Sequence, residues 1–250
     1  MTTVKNIYDF LNSIAPFDTQ DEWDNSGFLV GEFRKEVKTA VLSLDPTPSA
    51  VEFAKSVNAD LLLTHHPVIF SPLESVTEGS PAYELARAGI SQISTHTCFD
   101  KAENGINDNL AKALRLENPE RLDGGNVVVG ELSLEMSVDD LADYVSLMLE
   151  SDKVTFTNTD KPIKKVAVGG GGSGVFIDLA MENADCFVIG EMKYHEMLDA
   201  QQQGRAVICA GHYESENEPF LMLKDTLEKM FPDVEFLTFE QKDSIIGIGR

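Results

Sequence analysis

Short apolar runs alternate with helical segments along this chain, and the pattern occurs twice. The first copy is TAVLSLDPTPSAVEFAKSVNADLLLTHH (residues 39–66) and the second is KVAVGGGGSGVFIDLAMENADCFVIGEM (residues 165–192), with NAD at 58–60 and again at 183–185. Strand–helix alternation is typical of a parallel α/β sheet. The sequence therefore predicts an α/β fold whose two similar lobes arose by internal duplication. Because identities between the copies are few, generic α/β patterning is the alternative.

The predicted domain boundaries lie where this alternation stops and resumes. We expect residues 1–115 to form the first lobe, completed by the C-terminal segment, and residues 161–250 to form the second. Residues 116–160 differ, because NVVVGELSLEM suggests hairpin strands and VDDLADYVSLMLE an amphipathic helix, so they are expected to connect the lobes. Open α/β sheets bind ligands beyond the carboxyl ends of their strands, so functional residues are expected there.

Charge and cysteine content exclude several classes of protein. The chain has 42 acidic and 20 basic side chains and a formal net charge of −22, which disfavours binding to nucleic acid or anionic membranes and favours cations. Three cysteines without a C-x-x-C motif (Cys98, Cys186 and Cys209) indicate neither a disulfide framework nor a zinc knuckle. The N-terminal residues lack a signal sequence and no apolar run reaches membrane-span length, so a cytoplasmic protein is expected.

Two adjacent histidines follow an apolar run in LLLTHHPVIF (residues 61–70). Neighbouring side chains of a strand point to opposite faces, so His65 and His66 do not readily bind one ion together. They can each serve one ion of a pair if the strand ends there and the backbone turns. Pro67 restricts His66 to an extended conformation. The alternative is a polar strand end with two surface histidines.

Further candidate ligands follow other predicted strands. His96 and Asp100 lie in ISTHTCFD, and His212 and Glu216 have the same spacing in ICAGHYESE. Mixed imidazole and carboxylate ligands suit Zn, Mn, Fe or Co, and carboxylates can bridge two ions. The segment SENE (residues 215–218) predicts a capping box, which would put Glu216 in the first turn of a helix.

Five motifs match a known family in order and spacing, over essentially the whole chain. They are WDNSGFLVG, THHPVIF, HTCFDKAENGINDNLA, GEMKYHE and GHYESE. The chain thereby resembles the GTP cyclohydrolase 1 type 2 family, also called NGG-interacting-factor-like. The resemblance implies two divalent metal ions per chain (Zn, Fe or Mn), in the cleft between the lobes. The ligands it implies are His65, His66, Asp100, His212 and Glu216.

The resemblance also implies a toroidal homohexamer, in a short form that lacks the domain some members carry between the lobes. This chain departs from the common motifs at Cys98, Phe99 and Glu191, none of which is an implied ligand. Cys98 raises the possibility of redox sensitivity or a preference for soft metals.

Three further segments have two interpretations each. GGGGSG (residues 169–174) could hold a phosphate or be a plain glycine-rich turn. KYHE (residues 193–196) could supply acid–base groups or begin a helix, and His96, Glu191 and His195 are the candidate catalytic residues. EWDNSG (residues 22–27) is interpreted as a structural turn with Trp23 packed on a lobe.

Two functions are compatible with these observations. The first is a metal-dependent hydrolase acting on an anionic, nucleotide-like or phosphorylated small molecule, with GTP ring opening implied by the family resemblance. The second is a metal-dependent regulatory or scaffold protein without turnover. The sequence does not distinguish them, because both require the same metal ligands.

Overall fold

The computed structural model describes residues 1–241, which form two compact units. The first unit comprises Met1–Cys98 and the segment from Leu223 onward, and the second is Phe99–Met222. The structure thus divides the chain at points other than the expected boundaries. Residues 116–160, expected to be a connection, belong to the second unit. The end of the expected second lobe, after residue 241, lies outside the described residues.

The first unit contains a five-stranded sheet, with strands numbered along the whole chain. Its members are β1 (Gly27–Val30), β2 (Thr39–Ser43), β3 (Leu61–Thr64), β4 (Ser91–Ser94) and β11 (Glu235–Thr238). The spatial order is β1–β4–β3–β2–β11. β1 is antiparallel to β4, and all other neighbours are parallel. The strand β11, the last within residues 1–241, therefore completes this sheet through β2.

The helices of the first unit are α1 (Val4–Ile14), α2 (Pro48–Ser56), α3 (Pro81–Ala88) and α10 (Leu223–Met230). A capping box between Thr3 and Asn6 begins α1, whose apolar side chains recur at helical spacing and are buried. Proline at the first position begins α2 and α3, where its missing N–H is not needed. α3 ends at Ala88 and is followed by Gly89 with a φ of 69°, a left-handed conformation that glycine adopts without strain.

The second unit contains a six-stranded sheet. Its strands are β5 (Glu117–Leu122), β6 (Val127–Met136), β7 (Thr155–Phe156), β8 (Ile163–Gly169), β9 (Cys186–Ile189) and β10 (Ala206–Cys209). They lie in the order β5–β6–β8–β9–β10–β7. β8, β9 and β10 are parallel to one another. The antiparallel pairs are β5 with β6, β6 with β8, and β7 with β10. The segment NVVVGELSLEM, expected to supply the strands of a hairpin, is instead the single strand β6. β6 pairs with β5 on one side and with β8 on the other, which brings residues 116–160 into this unit.

Helices surround the second sheet. They are α5 (Ile106–Ala113), α6 (Val138–Met148), α7 (Ile177–Asn183), α8 (Tyr194–Gln202) and α9 (His212–Leu221); a single turn, α4 (Thr97–Asp100), precedes them. The parallel strands β3, β9 and β10 are buried along their whole length, as expected for strands covered on two faces. The chain is therefore a mixed α/β protein with two sheets, which confirms the predicted class. No helix of residues 1–241 is long and apolar enough to cross a membrane.

In each unit an aspartate accepts hydrogen bonds from backbone amides, at the start of β2 in the first unit and just before β8 begins to pair with β9 in the second. In the first unit, the Asp60 carboxylate accepts from the amides of Lys38 (2.9 Å) and Thr39 (3.3 Å). In the second unit, the Asp185 carboxylate accepts from the amide of Lys165 (2.8 Å). Asp60 and Asp185 are the third residues of the two NAD segments that the sequence copies share. The repeat therefore has a physical counterpart in strand capping.

Candidate metal centre

The end of β3 explains how two adjacent histidines come to lie side by side. β3 ends at Thr64, whose hydroxyl donates to the carbonyl of His66 (2.6 Å), while the amide of His66 donates to Leu44 (3.0 Å). These bonds turn the backbone immediately after the strand. The rings of His65 and His66 therefore have centroids 5.0 Å apart, although neighbours within a strand would face opposite ways.

A third imidazole joins this pair from the end of β4. The ring centroid of His96 lies 5.1 Å from that of His65 and 5.3 Å from that of His66. One ring nitrogen of each histidine lies within 4.8 Å of the corresponding nitrogens of the other two. His65 is fully buried, whereas His66 and His96 are partly exposed. The first unit thus brings three imidazoles to one point at the carboxyl edge of its sheet.

Each of these rings has its Nδ1 beside an oxygen acceptor. The pairs are His65 with the Thr95 carbonyl (2.8 Å), His66 with Asp45 (2.7 Å) and His96 with Asp24 (2.8 Å). A carbonyl or ionised carboxylate can only accept, so Nδ1 carries the proton and Nε2 keeps its lone pair. Metal-binding histidines are oriented in this way. The chemistry of the donor set therefore fits a divalent ion.

Asp24 is a functional residue that the sequence interpretation missed. Its side chain is fully buried, and its second oxygen accepts from the amide (3.1 Å) and hydroxyl (2.6 Å) of Thr97 and from Ser26 (2.9 Å). Burial alone would raise the pKa of Asp24, but hydrogen bonds from His96 and Thr97 outweigh it and hold this pKa far below the usual carboxyl value. Asp24 therefore stays ionised and fixes the orientation of His96.

The turn that carries Asp24 was expected to be structural, with Trp23 packed on a lobe. The turn is present and the Trp23 ring contacts those of Phe70 and His96, but the side chain stays 59% exposed instead of being buried on the lobe. The hydrogen bonds of Asp24 hold the turn without help from the indole. An aspartate in a turn is too common to be recognised from sequence. Asp45 could have been found, because it follows β2 at the same sheet edge where His65 follows β3.

In the second unit, His212 and Glu216 lie one turn apart on α9. Nε2 of His212 is 3.1 Å from Oε2 of Glu216, and Nδ1 is 3.1 Å from Oε1 of Glu191. With its proton on Nδ1, the His212 ring donates a hydrogen bond to Glu191 and keeps a lone pair on Nε2. A lone pair and a carboxylate oxygen at this distance repel each other unless a cation or a proton lies between them. This arrangement also fits a metal ion.

The predicted capping box at residues 215–218 is wrong. α9 begins at His212, after Gly211 with a φ of 104°, so Glu216 lies in the second turn rather than the first. Ser215 is inside the helix, where its hydroxyl donates to the carbonyl of His212 (2.9 Å) and accepts from the amide of Gly171 (3.0 Å). A local pattern of Ser and Glu misleads here because Ser215 binds neighbouring backbone instead of capping.

The glycine run 169–174 passes directly against the Glu216 carboxylate. A Cβ at Gly171 would lie 2.1 Å from Oε1 of Glu216 and 3.0 Å from Nε2 of His212, and the φ of Gly171 is +54°. A Cβ at Gly170 would lie 2.6 Å from Ile106. Contact with Glu216 therefore accounts for glycine at position 171 without a phosphate.

The other candidate residues also lie in the second unit. Asp100 ends α4 and is partly exposed, and Glu191 is exposed beside His212. His195 is exposed in the first turn of α8, and within residues 1–241 it belongs to none of the groups that could hold an ion. The amide of Lys193 donates to Glu196 (3.0 Å), so KYHE begins a helix.

The chain has two α/β units, and oxygen acceptors orient the histidines that follow its strands. These features place it in a class, the α/β proteins with a candidate metal centre. Within this class the chain belongs to the Duf34/NIF3 (NGG1p interacting factor 3) family, whose sequence model matches residues 2–244. The resemblance derived from the five motifs is thereby confirmed.

Individual relatives agree with this assignment. The chain is 33% identical to GTP cyclohydrolase 1 type 2 of Helicobacter pylori strain J99, over 91% of this chain and 92% of the relative. It is 29% identical to NGG1-interacting factor 3 of Saccharomyces cerevisiae, over 84% of each. Its fold matches the crystal structure of Staphylococcus aureus protein SA1388 with a TM-score of 0.89, covering 100% and 99% of the two chains at 22% identity.

Proposed function

We propose that this chain is a metal-dependent hydrolase whose substrate is an anionic, nucleotide-like or phosphorylated small molecule. One observation carries the proposal: Nδ1 of His65, His66 and His96 each faces an oxygen acceptor, which prepares three Nε2 atoms as ligands. Relatives named GTP cyclohydrolase 1 type 2 support hydrolysis of a nucleotide.

The proposed cofactor is a pair of divalent ions, Zn, Fe or Mn, in the cleft that the family resemblance implies between the lobes. The proposed ligands are His65, His66, Asp100, His212 and Glu216, and the structure adds His96 as a sixth candidate. When bound, such ions polarise a carbonyl or phosphoryl oxygen and lower the pKa of a coordinated water.

The remaining side chains hold these ligands or handle protons. Asp24 and Asp45 orient His96 and His66, and Glu191 orients His212. These roles leave His195 as the proposed acid–base group among the three candidates, since its ring is exposed and therefore able to exchange protons with solvent. The net charge of −22 repels anions, so two bound cations would provide the local field that an anionic substrate needs.

We also infer that the chain arose by internal duplication and assembles as a homohexamer. Equivalent capping by Asp60 and Asp185 and equivalent triplets of parallel strands, β2–β3–β4 and β8–β9–β10, support the duplication. The hexamer rests on the family resemblance alone.

Turnover of the reconstituted protein tests the proposed function. Protein loaded with Zn²⁺, Fe²⁺ or Mn²⁺ is incubated with GTP, other nucleotides and simple phosphoesters, and metal content is measured by elemental analysis. We expect about two ions per chain and hydrolysis that His66→Ala abolishes. Two ions without turnover on the whole panel would favour the alternative, a metal-dependent regulatory or scaffold protein. One ion that survives excess metal would refute the dinuclear centre.

A further inference from the structure

Two exposed aromatic rings adjoin the histidine group of the first unit. Trp23 is 59% exposed and Phe70 is 49% exposed, and their ring centroids are 5.8 Å apart at an angle of 47°. The ring of His96 lies 5.8 Å from Trp23 and 6.2 Å from Phe70. We call Trp23 and Phe70 the aromatic ledge. It is the apolar surface beside the candidate metal ligands of this unit.

The ledge is held in place by hydrogen bonds and not by burial of its rings. The side-chain amide of Asn25 donates to the carbonyl of Ile69 (2.5 Å), which ties the loop of Trp23 to the loop of Phe70. The backbone amide of Asn25 also donates to the carboxylate of Asp24 (2.6 Å), the residue that orients His96. One set of bonds therefore fixes both the ledge and a candidate metal ligand.

Two large rings held open to water suggest a binding role. Apolar surface in water is unfavourable in proportion to its area, and exposed apolar patches beside polar groups often mark binding sites. Trp and Phe present flat π faces that stack on any planar heteroaromatic ring, with little dependence on its substituents. Because the two rings are tilted by 47°, one can stack on the face of a flat ligand while the other contacts its edge.

We propose that the aromatic ledge binds the nucleobase of a nucleotide, so that the rest of the substrate lies at the histidine group. The ligand class is thereby narrowed from anionic small molecules in general to those with a planar heteroaromatic ring. The chemistry of the bound ligand at the metals rests on the proposed function. Binding at the ledge and turnover are nevertheless measured separately.

The protein provides its own probe, because Trp23 is the only tryptophan in the chain. Zinc-loaded protein is titrated with GTP, guanosine, inorganic triphosphate and ribose 5-phosphate, while Trp23 emission is recorded and corrected for absorbance by the base. We expect saturable quenching by GTP and guanosine, and none by triphosphate or ribose 5-phosphate. Equal quenching by triphosphate would overturn the proposal, since that ligand has no base.

Variants measured by equilibrium dialysis supply the second arm. We expect Phe70→Ala and Trp23→Ala each to weaken GTP binding by about 5-fold or more, as loss of one stacking ring does, and Trp23→Phe to retain most of the affinity. Triphosphate binding should not change. Leu134→Ala is the matched control, because Leu134 is 72% exposed in the second unit. GTP affinity that is unchanged in both alanine variants would overturn the ledge.

Two other outcomes separate this inference from the proposed function. Base-dependent quenching without any turnover would support the ledge and refute the hydrolase. Turnover of base-free phosphoesters that matches turnover of GTP would support the hydrolase and refute the ledge. Trp23 emission that depends on protein concentration but not on nucleotide would mean that the ledge contacts a second copy of this chain, which also overturns the proposal.

Discussion

Asp24 accepts a hydrogen bond from Nδ1 of His96 at 2.8 Å, and this contact fixes which ring nitrogen of His96 can bind a metal. The same relationship occurs between Asp45 and His66, and between Glu191 and the ring of His212. Carboxylates that orient imidazoles are a usual feature of metal sites, because they set the tautomer and raise the basicity of the ligand nitrogen. These contacts lead directly to the first prediction.

Replacement of Asp24 by asparagine should weaken metal binding without removing a ligand. The amide is neutral and can present an N–H to His96, so both the orientation and the basicity of the ring are lost. We expect affinity to fall about 10–100-fold, the usual effect of changing a residue that orients a ligand. Competition with a chelator measures this, with circular dichroism to confirm folding. Asp18→Asn is the control, because Asp18 is an exposed carboxylate nearby. Equal affinity in a folded Asp24→Asn protein would contradict the assigned role.

The glycine run provides a pair of matched substitutions. Gly171→Ala forces a Cβ against the Glu216 carboxylate at a residue with positive φ, whereas Gly172→Ala meets no atom within 4 Å. We expect Gly171→Ala to lose metal affinity by at least about 10-fold, comparable to other changes that displace a ligand, and Gly172→Ala to leave it unchanged. Chelator competition on both variants is the measurement. If the two behave alike, close packing on Glu216 is not what requires glycine at 171.

Glu216 and Glu191 should respond differently to the same change. Glu216 is a proposed ligand, whereas Glu191 contacts Nδ1 of His212. Glu191→Gln should therefore cost about 10–100-fold in affinity, and Glu216→Gln should cost more, with measurable loss of bound ion after dialysis. Elemental analysis and chelator competition report these effects. Equal losses in the two variants would mean that Glu191 binds the metal directly.

The homohexamer and the large negative charge together predict a particular response to salt. Six chains that carry −22 each repel one another, so their interfaces should be apolar and depleted in Asp and Glu. Light scattering should give a hexamer mass that moderate salt does not alter. Turnover of an anionic substrate should vary with salt, because charges are screened over about 8–10 Å at physiological ionic strength. A monomer at micromolar concentration in both low and moderate salt would exclude the assembly.

Local sequence patterns predicted the helices whose apolar residues recur at a regular spacing and the strands that are buried. The run of leucines at residues 61–63 was recognised as a strand, and the histidines after it as candidate ligands, because both signals are local. Asp24 was not recognised, because its partners His96 and Thr97 lie more than 70 residues away in sequence. The antiparallel pairing of β6 with β8 was also missed, since the register between strands that are distant in sequence leaves no periodic trace.

The start of α9 shows a different kind of limit. Ser215 and Glu218 have the spacing of a capping box, yet the helix begins at His212, directly after Gly211 and three residues before Ser215. The competing signal was a glycine whose positive φ cannot be read from sequence. By contrast, Asp60 and Asp185 make equivalent contacts and were aligned by sequence, because the NAD segments that carry them are identical.

Asp60→Asn should reduce stability in a pH-dependent way. Burial alone would raise the pKa of Asp60, but hydrogen bonds from the amides of Lys38 and Thr39 and the ammonium of Lys35, 3.2 Å away, hold it below the usual value. Because the pKa of Asp60 is lower in the folded state, its charge stabilises the fold at pH values above the unfolded-state pKa of about 4. This stabilisation is lost as the pH falls through the folded-state pKa. At neutral pH we expect Asp60→Asn to lower the free energy of unfolding by about 1–2 kcal/mol, and the difference from wild type to shrink in acid. Urea unfolding across this pH range is the measurement.

Asp9→Asn is the control, since Asp9 forms only an exposed pair with Lys5 and should change stability by less than about 0.5 kcal/mol. A gap that persists unchanged in acid would show that the Asp60 charge does not cap β2.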